Sequence, residues 1–125
     1  RLAMGSGFAQ LSGEDGSILG FRAHGGHGCI SVTSNVAPRL LADFHAACDK
    51  GDWTKAREIH DRLMPLHDAL FCETSPAPVK YAAWRLGIIG SPECRLPLAP
   101  VSAQGRKAVD EALLRSGLLS AKAAE

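Results

Sequence analysis

The sequence predicts an α/β fold in which a short parallel β-α-β segment gives way to an all-helical region. Two runs, Phe8-Ala9-Gln10-Leu11-Ser12 and Gly28-Cys29-Ile30-Ser31-Val32-Thr33, are short and apolar, and glycine or asparagine bounds them. A brief helical stretch separates them, and alternation of strand and helix is the signature of parallel pairing. From Pro38 onward, apolar residues recur at helical spacing to the end of the chain.

The first run reads as a buried strand over residues 8–12 that stops at Gly13. Glu14-Asp15-Gly16-Ser17 is then a turn into a helix, with Asp15 or Ser17 as its N-cap. Ile18, Leu19 and Phe21 to Ala23 make one or two helical turns, and Gly25-Gly26 ends them. Residues 28–33 are rich in β-branched side chains and form a second buried strand. Pro38 suits the first turn of the next helix, which places Leu40, Leu41, Phe44, Ala47 and Cys48 on one face and closes at Gly51. Asp52 caps a long helix whose stripe is Trp53, Ala56, Ile59, Leu63, Leu66, Leu70 and Phe71. Pro65 lies within it and is expected to kink it, because it lacks an amide donor. A further helix spans 76–86 and ends at Gly87. Residues 90–100 hold Pro92, Pro97 and Pro100 and form a surface loop. Ser102 caps the last helix, with Val109, Ala112 and Leu113 inward and Gly117 at its end; residues 120–125 are expected to fray.

Two strands and about five helices leave a difficulty. A two-stranded parallel sheet has open edges, which carry unpaired backbone groups. The strands therefore read as a piece of a larger sheet. The opening Arg1-Leu2-Ala3-Met4 resembles the last turn of a helix, which also suggests a piece of a longer protein.

Composition bounds the function. The chain has 125 residues, 46% hydrophobic and 22% charged, which suits one ordinary globular unit. A net charge of +1 argues against a nucleic-acid surface. No apolar run approaches the roughly 18 residues of a membrane span, and no secretory leader is evident. Cys29, Cys48, Cys72 and Cys94 lie in or beside apolar segments without a Cys-x-x-Cys pair. They read as reduced thiols of a cytoplasmic protein, with the wrong spacing for zinc.

Few residues invite a chemical role. His24 and His27 flank two glycines, but a metal would need a third ligand on a rigid element, so a structural role is expected. Glu14 and Asp15 follow the first strand, where α/β sites lie, yet helix capping explains them as well. Ser12 lacks the Gly-x-Ser-x-Gly elbow of a hydrolase. Gly25-Gly26-His27-Gly28 precedes a strand instead of joining strand to helix, so it is not a dinucleotide loop. Lys80 has apolar neighbours and could act as a Schiff-base lysine if buried; a packed stem with its ammonium in water is the expected role. Asp52, Lys55, Arg57 and Glu58 form a solvated helix face.

Several long stretches together resemble one family. Leu11-Ser12-Gly13-Glu14-Asp15 and Gly25-Gly26-His27-Gly28-Cys29-Ile30-Ser31-Val32-Thr33-Ser34-Asn35 closely resemble the seventh and eighth strands of dihydrodipicolinate synthases. Arg62-Leu63-Met64-Pro65-Leu66-His67, Pro78-Val79-Lys80-Tyr81 and Arg95-Leu96-Pro97-Leu98 resemble their C-terminal helical region. The resemblance runs from about residue 8 to residue 119. It implies the C-terminal part of a (β/α)8 TIM barrel: residues 1–51 supply the last βα units, strands 7 and 8, and residues 52–125 a C-terminal helical domain or bundle.

The implied activity is that of a lyase of lysine and diaminopimelate biosynthesis. It condenses pyruvate with L-aspartate semialdehyde through a lysine Schiff base to give 4-hydroxy-tetrahydrodipicolinate. No metal and no organic cofactor take part, and the family's usual assembly is a homotetramer. By position, Ile30 matches the eighth-strand residue that contacts pyruvate, and Gly13 the glycine at the mouth of strand seven. The Schiff-base lysine, the proton-relay tyrosines and threonine, the carboxylate-binding arginine and the lysine-feedback site would all precede Arg1. The chain alone is therefore expected to be inactive. Two alternatives remain. Sister pyruvate aldolases such as N-acetylneuraminate lyase share the barrel, although their eighth strand reads differently. A non-enzymatic interaction module could be made from residues 38–119 alone, but it would have no use for two strands.

Overall fold

The computed structural model describes residues 2–120, so the tail expected to fray lies outside the described residues from position 121 on. Chain order is β1 (Leu11–Ser12), α1 (Ile18–Ala23), β2 (Gly28–Cys29), a 3-10 turn (Thr33–Asn35), α2 (Pro38–Asp49), α3 (Trp53–Ala69), α4 (Ala77–Arg85) and α5 (Ala103–Arg115).

β1 and β2 pair in parallel, with Leu11 opposite Gly28 and Ser12 opposite Cys29. The amides of His27 and Ile30 donate to the carbonyls of Gln10 and Ser12, each at 2.8 Å, and extend the ladder on both sides. The imidazole of His27 adds one more link, accepting from the Gln10 amide at 2.9 Å.

Both strands are shorter than expected, and the first is not buried. Of residues 8–12 only Leu11 and Ser12 are in the ladder, and Phe8 and Leu11 are 49% and 53% exposed. Among the described residues each strand has a single neighbour, so one edge and one face have nothing to pack against. The second strand stops at Cys29 instead of running to Thr33. Ser34 donates twice to Ser31: its amide to Ser31 Oγ and its hydroxyl to the Ser31 carbonyl, both at 2.8 Å. Asn35 Nδ2 donates to the Val32 carbonyl at 2.9 Å. These local bonds offer the backbone an alternative to the ladder and fold 33–35 into the 3-10 turn.

The helices follow the sequence closely. α2 starts with Pro38 at its first turn, and Asp52 caps α3 by accepting the Lys55 amide at 3.0 Å. Ser102 caps α5 by accepting the Gly105 amide at 3.1 Å. α3 continues through Pro65 to Ala69 as one helix. Gly51, Gly87 and Gly117 take positive φ after α2, α4 and α5, the usual left-handed exit from a helix. Gly26 has a different duty: a Cβ there would sit 2.1 Å from Phe21 Cε1, so the ring lies on bare backbone.

α3 is the centre of the core. It packs against α2 on one side and α5 on the other, and α4 covers α5. Phe44, Leu63, Leu66, Leu70, Val109 and Leu113 are fully buried there, with Ile18 of α1. Each such side chain contributes about 1.5–3 kcal/mol of transfer free energy. Trp53 and Phe71, expected on the apolar stripe of α3, are exposed instead. Trp53 is the first residue of the helix and Phe71 lies beyond its last, so neither meets α2 or α5 at the helix centre. Arg22 ties the end of α1 to the rest, donating to the carbonyls of Gly26 and His27 and pairing with Asp49 at the end of α2.

Candidate functional site

The C-terminal ends of β1 and β2 meet at one shelf. Because the Ile30 amide bonds to the Ser12 carbonyl, Gly13 and Ile30 emerge side by side from the paired strands. Nothing lies within 4 Å of where a Gly13 Cβ would be, and Ile30 is 72% exposed. The sheet thus presents open backbone beside an uncovered apolar side chain.

Behind the shelf the two carboxylates divide their work. Glu14 accepts from the amides of Gly16 and Ser17, each at 2.6 Å, and Ser12 Oγ accepts from the Glu14 amide at 3.0 Å. Hydrogen bonding from Ser17, then from the Gly16 and Ser17 amides, holds the Glu14 pKa below the usual carboxylate value. Glu14, not Asp15 or Ser17, therefore satisfies the start of α1. Ser17 occupies the cap position but makes no side-chain cap bond.

Asp15 turns the other way. It is 2% exposed, and its Oδ2 accepts from the amides of Val32 and Thr33 at 2.9 and 3.1 Å. It caps a turn 17 residues downstream, which local spacing could not reveal. Cys29 Sγ lies 3.8 Å from Asp15 Oδ1. Burial first, and then the Asp15 charge, push the Cys29 thiol up to about 11, so it is a protonated donor at neutral pH and no nucleophile.

A buried polar column continues from there. Thr33, fully buried, bonds through Oγ1 to Nδ1 of His67 on α3 at 2.8 Å. The His67 ring lies 5.7 Å from that of His60, which lies 6.1 Å from Phe44. Burial lowers the pKa of both histidines and favours the neutral imidazole. The signal for them was in the sequence: His60 and His67 share the α3 face of Ala56, Leu63 and Leu66.

The other sequence candidates have structural work. His24 Nδ1 lies 2.7 Å from the Gly20 carbonyl, and His27 extends the strand pair. No group of three metal-ligating side chains forms among the described residues. Lys80 Nζ donates to the Glu93 carbonyl and fastens the proline-rich loop. Lys55 pairs with Glu58 at 3.2 Å on the solvated face. Tyr81 donates to Asp110 Oδ2 at 3.0 Å while Arg85 Nε reaches Oδ1 at 2.8 Å, joining α4 to α5. All four cysteines are free thiols. No helix among the described residues is long and apolar enough to cross a membrane. Four surface grooves of 250 to 430 Å³ lie on the helical half, and none is lined by Gly13 or Ile30. The shelf can supply contacts and shape, but among the described residues it holds no lysine or tyrosine.

Comparison with known proteins gives one consistent result. Residues 1–116 match the model of the dihydrodipicolinate synthetase family. The 4-hydroxy-tetrahydrodipicolinate synthase of Bradyrhizobium diazoefficiens is 57% identical over 120 residues, 96% of this chain and 40% of the relative. A structure described as the first monomeric dihydrodipicolinate synthase variant superposes with a TM-score of 0.87 at 43% identity, over 91% of this chain and 38% of that one. The chloride-inhibited dihydrodipicolinate synthase of Acinetobacter baumannii, complexed with pyruvate, gives a TM-score of 0.86 at 34% identity, over 94% and 40%. The chain thus spans about 40% of the length of the relatives it matches.

Proposed function

This chain belongs to the dihydrodipicolinate synthetase family, a family of lyases, and from that membership we propose its part in the reaction. It supplies the closing segment of a 4-hydroxy-tetrahydrodipicolinate synthase that condenses pyruvate with L-aspartate semialdehyde. Residues 1–51 act as the last two βα units of a (β/α)8 barrel, and residues 52–125 as the helical domain beside it. The observation that carries this is the open end of the parallel pair: Gly13 and Ile30 stand side by side at strand C-termini, where barrel enzymes bind their substrates. A helical interaction module would need neither strand.

In this reading Ile30 and Gly13 bind pyruvate. Ile30 offers an apolar wall, and Gly13 lets the substrate approach the backbone without a side chain between them. An imine between pyruvate and a lysine elsewhere in the barrel withdraws electrons, so the methyl carbon can lose a proton and attack the aldehyde. We place that lysine in the part of the relatives' length that this chain does not span; Lys80 is instead tied to the Glu93 carbonyl. No metal or organic cofactor is invoked. Free thiols fit a reducing cytoplasm. We place the protein in a homotetramer by family likeness, with the monomeric relative as the size standard.

The test is a chimera in which this chain replaces the matched segment of the Bradyrhizobium synthase. Borohydride trapping with pyruvate, read by intact mass, should label the chimera once and leave the 125-residue chain unlabelled. Coupled assays should find synthase activity in the chimera alone. A stoichiometric adduct on the short chain, or a folded but inactive chimera, would overturn the proposal.

A further inference from the structure

We infer that Asp15 is a positioning residue for the pyruvate-contacting end of β2: its buried carboxylate holds the Val32 and Thr33 amides and thereby fixes where Ile30 points. This rests on the proposed synthase reading.

The buried charge needs an explanation. A carboxylate that is 2% exposed is costly to keep in a fold unless strong donors surround it. No cation pairs with Asp15 among the described residues. Its partners are two consecutive backbone amides at 2.9 and 3.1 Å and the Cys29 thiol. Bonds from amides to an ionised carboxylate are among the stronger ones a protein makes. All three donors belong to residues that bracket Ile30, with Cys29 before it and Val32 and Thr33 after it.

The bracket is closed on its remaining sides. The Ile30 amide is fixed to the Ser12 carbonyl at 2.8 Å, and Ser31 accepts two hydrogen bonds from Ser34. Thr33 is fastened to His67 on α3 at 2.8 Å. Ile30 is itself 72% exposed, so its own packing cannot hold it. Its position is set by backbone bonds on either side, and Asp15 makes two of them while sitting only two residues past Gly13. One residue therefore ties together the two strand ends that form the shelf.

The experiment uses the active chimera with Asp15→Ala and Asp15→Asn. Asp15→Ala removes the carboxylate that accepts both amides, and the KM for pyruvate should rise roughly tenfold, with kcat and the KM for the semialdehyde changed far less. Asp15→Asn keeps an oxygen but loses the charge, so the Val32 and Thr33 amides should exchange faster with deuterium than in the unmutated protein, and the pyruvate KM should rise roughly threefold, between the unmutated protein and Asp15→Ala. If Asp15→Ala does not fold, Asp15→Asn decides alone: faster exchange with an unchanged pyruvate KM would overturn the inference. A fall in kcat with both KM values unchanged would mean lost active protein only, and would overturn it too. If the unmutated chimera is folded and inactive, the synthase reading and this inference fall together. If it is active and Asp15 leaves the pyruvate KM flat, only the inference falls.

Discussion

The helical half and the strand half of this molecule solve the same problem to different degrees. From Pro38 onward, α2, α3, α4 and α5 cover one another, and the side chains at their centre are fully buried. Before Pro38, two strands of two residues each pair along one edge, and Phe8, Leu11 and Ile30 face outward. The reason is geometric. A helix satisfies its backbone internally and needs partners for one stripe only, whereas a strand needs a neighbour on each edge and a cover on each face. The helical half closes a core among the described residues, although Trp53, Phe71 and Trp84 stay exposed at its surface. The strand half leaves a strand edge and apolar side chains uncovered among the described residues.

That contrast can be broken most forcefully at the centre of α3. Leu63→Ala should destabilise the chain by about 2–5 kcal/mol, the usual cost of an emptied Leu site, visible as a large fall in Tm. The seam between the halves comes next. Thr33→Val leaves His67 Nδ1 without its partner and should cost about 1–3 kcal/mol by urea titration.

Histidine burial adds a pH dependence to the same seam. Burial lowers the pKa of His45, His60 and His67 in the fold. Their contribution to stability is therefore full above the ordinary imidazole value of about 6.5. It is lost as the pH drops below that value toward the lowered folded ones, because the unfolded chain takes up protons that the fold excludes. Tm should fall from pH 7 to pH 5; a flat or rising profile would show that these histidines are not buried neutral.

The remaining changes are smaller. Ser102→Ala removes the α5 cap and should cost about 1 kcal/mol. Ile30→Ser or Leu11→Ser should change stability by less than about 0.5 kcal/mol, because these side chains bury little. Either should also lower self-association in sedimentation velocity, because an exposed apolar strand face favours contact between copies.

Legibility followed the same division. Helix starts at Pro38, Asp52 and Ser102, and ends at Gly51, Gly87 and Gly117, were readable because each signal acts within one turn. The strands are shorter than the apolar runs suggest because β1 has a single neighbour among the described residues, while the Ser34 and Asn35 bonds to Ser31 and Val32 turn 33–35 out of the ladder and leave Thr33 buried against α3. The order of Gly13 and Ile30 along the chain was plain, but their meeting depends on a pairing between residues 11–12 and 28–29. The distant role of Asp15 is hidden in the sequence for a related reason. A carboxylate before a helix is ordinarily a local cap, and nothing in the neighbouring residues says that Glu14 already does that work.

The long connection between α4 and α5 has a consequence for handling the protein. Residues 86–102 carry no regular structure, yet their surroundings are fastened at both ends, by Lys80 to the Glu93 carbonyl and by the Glu73 carboxylate to Ser102. A protease cut in this exposed stretch would sever the chain without removing any contact of α5 with α3 or α4. The nicked molecule should elute as one species under native conditions and separate into two pieces only in denaturant, which makes this loop the natural place to split, tag or lengthen the chain.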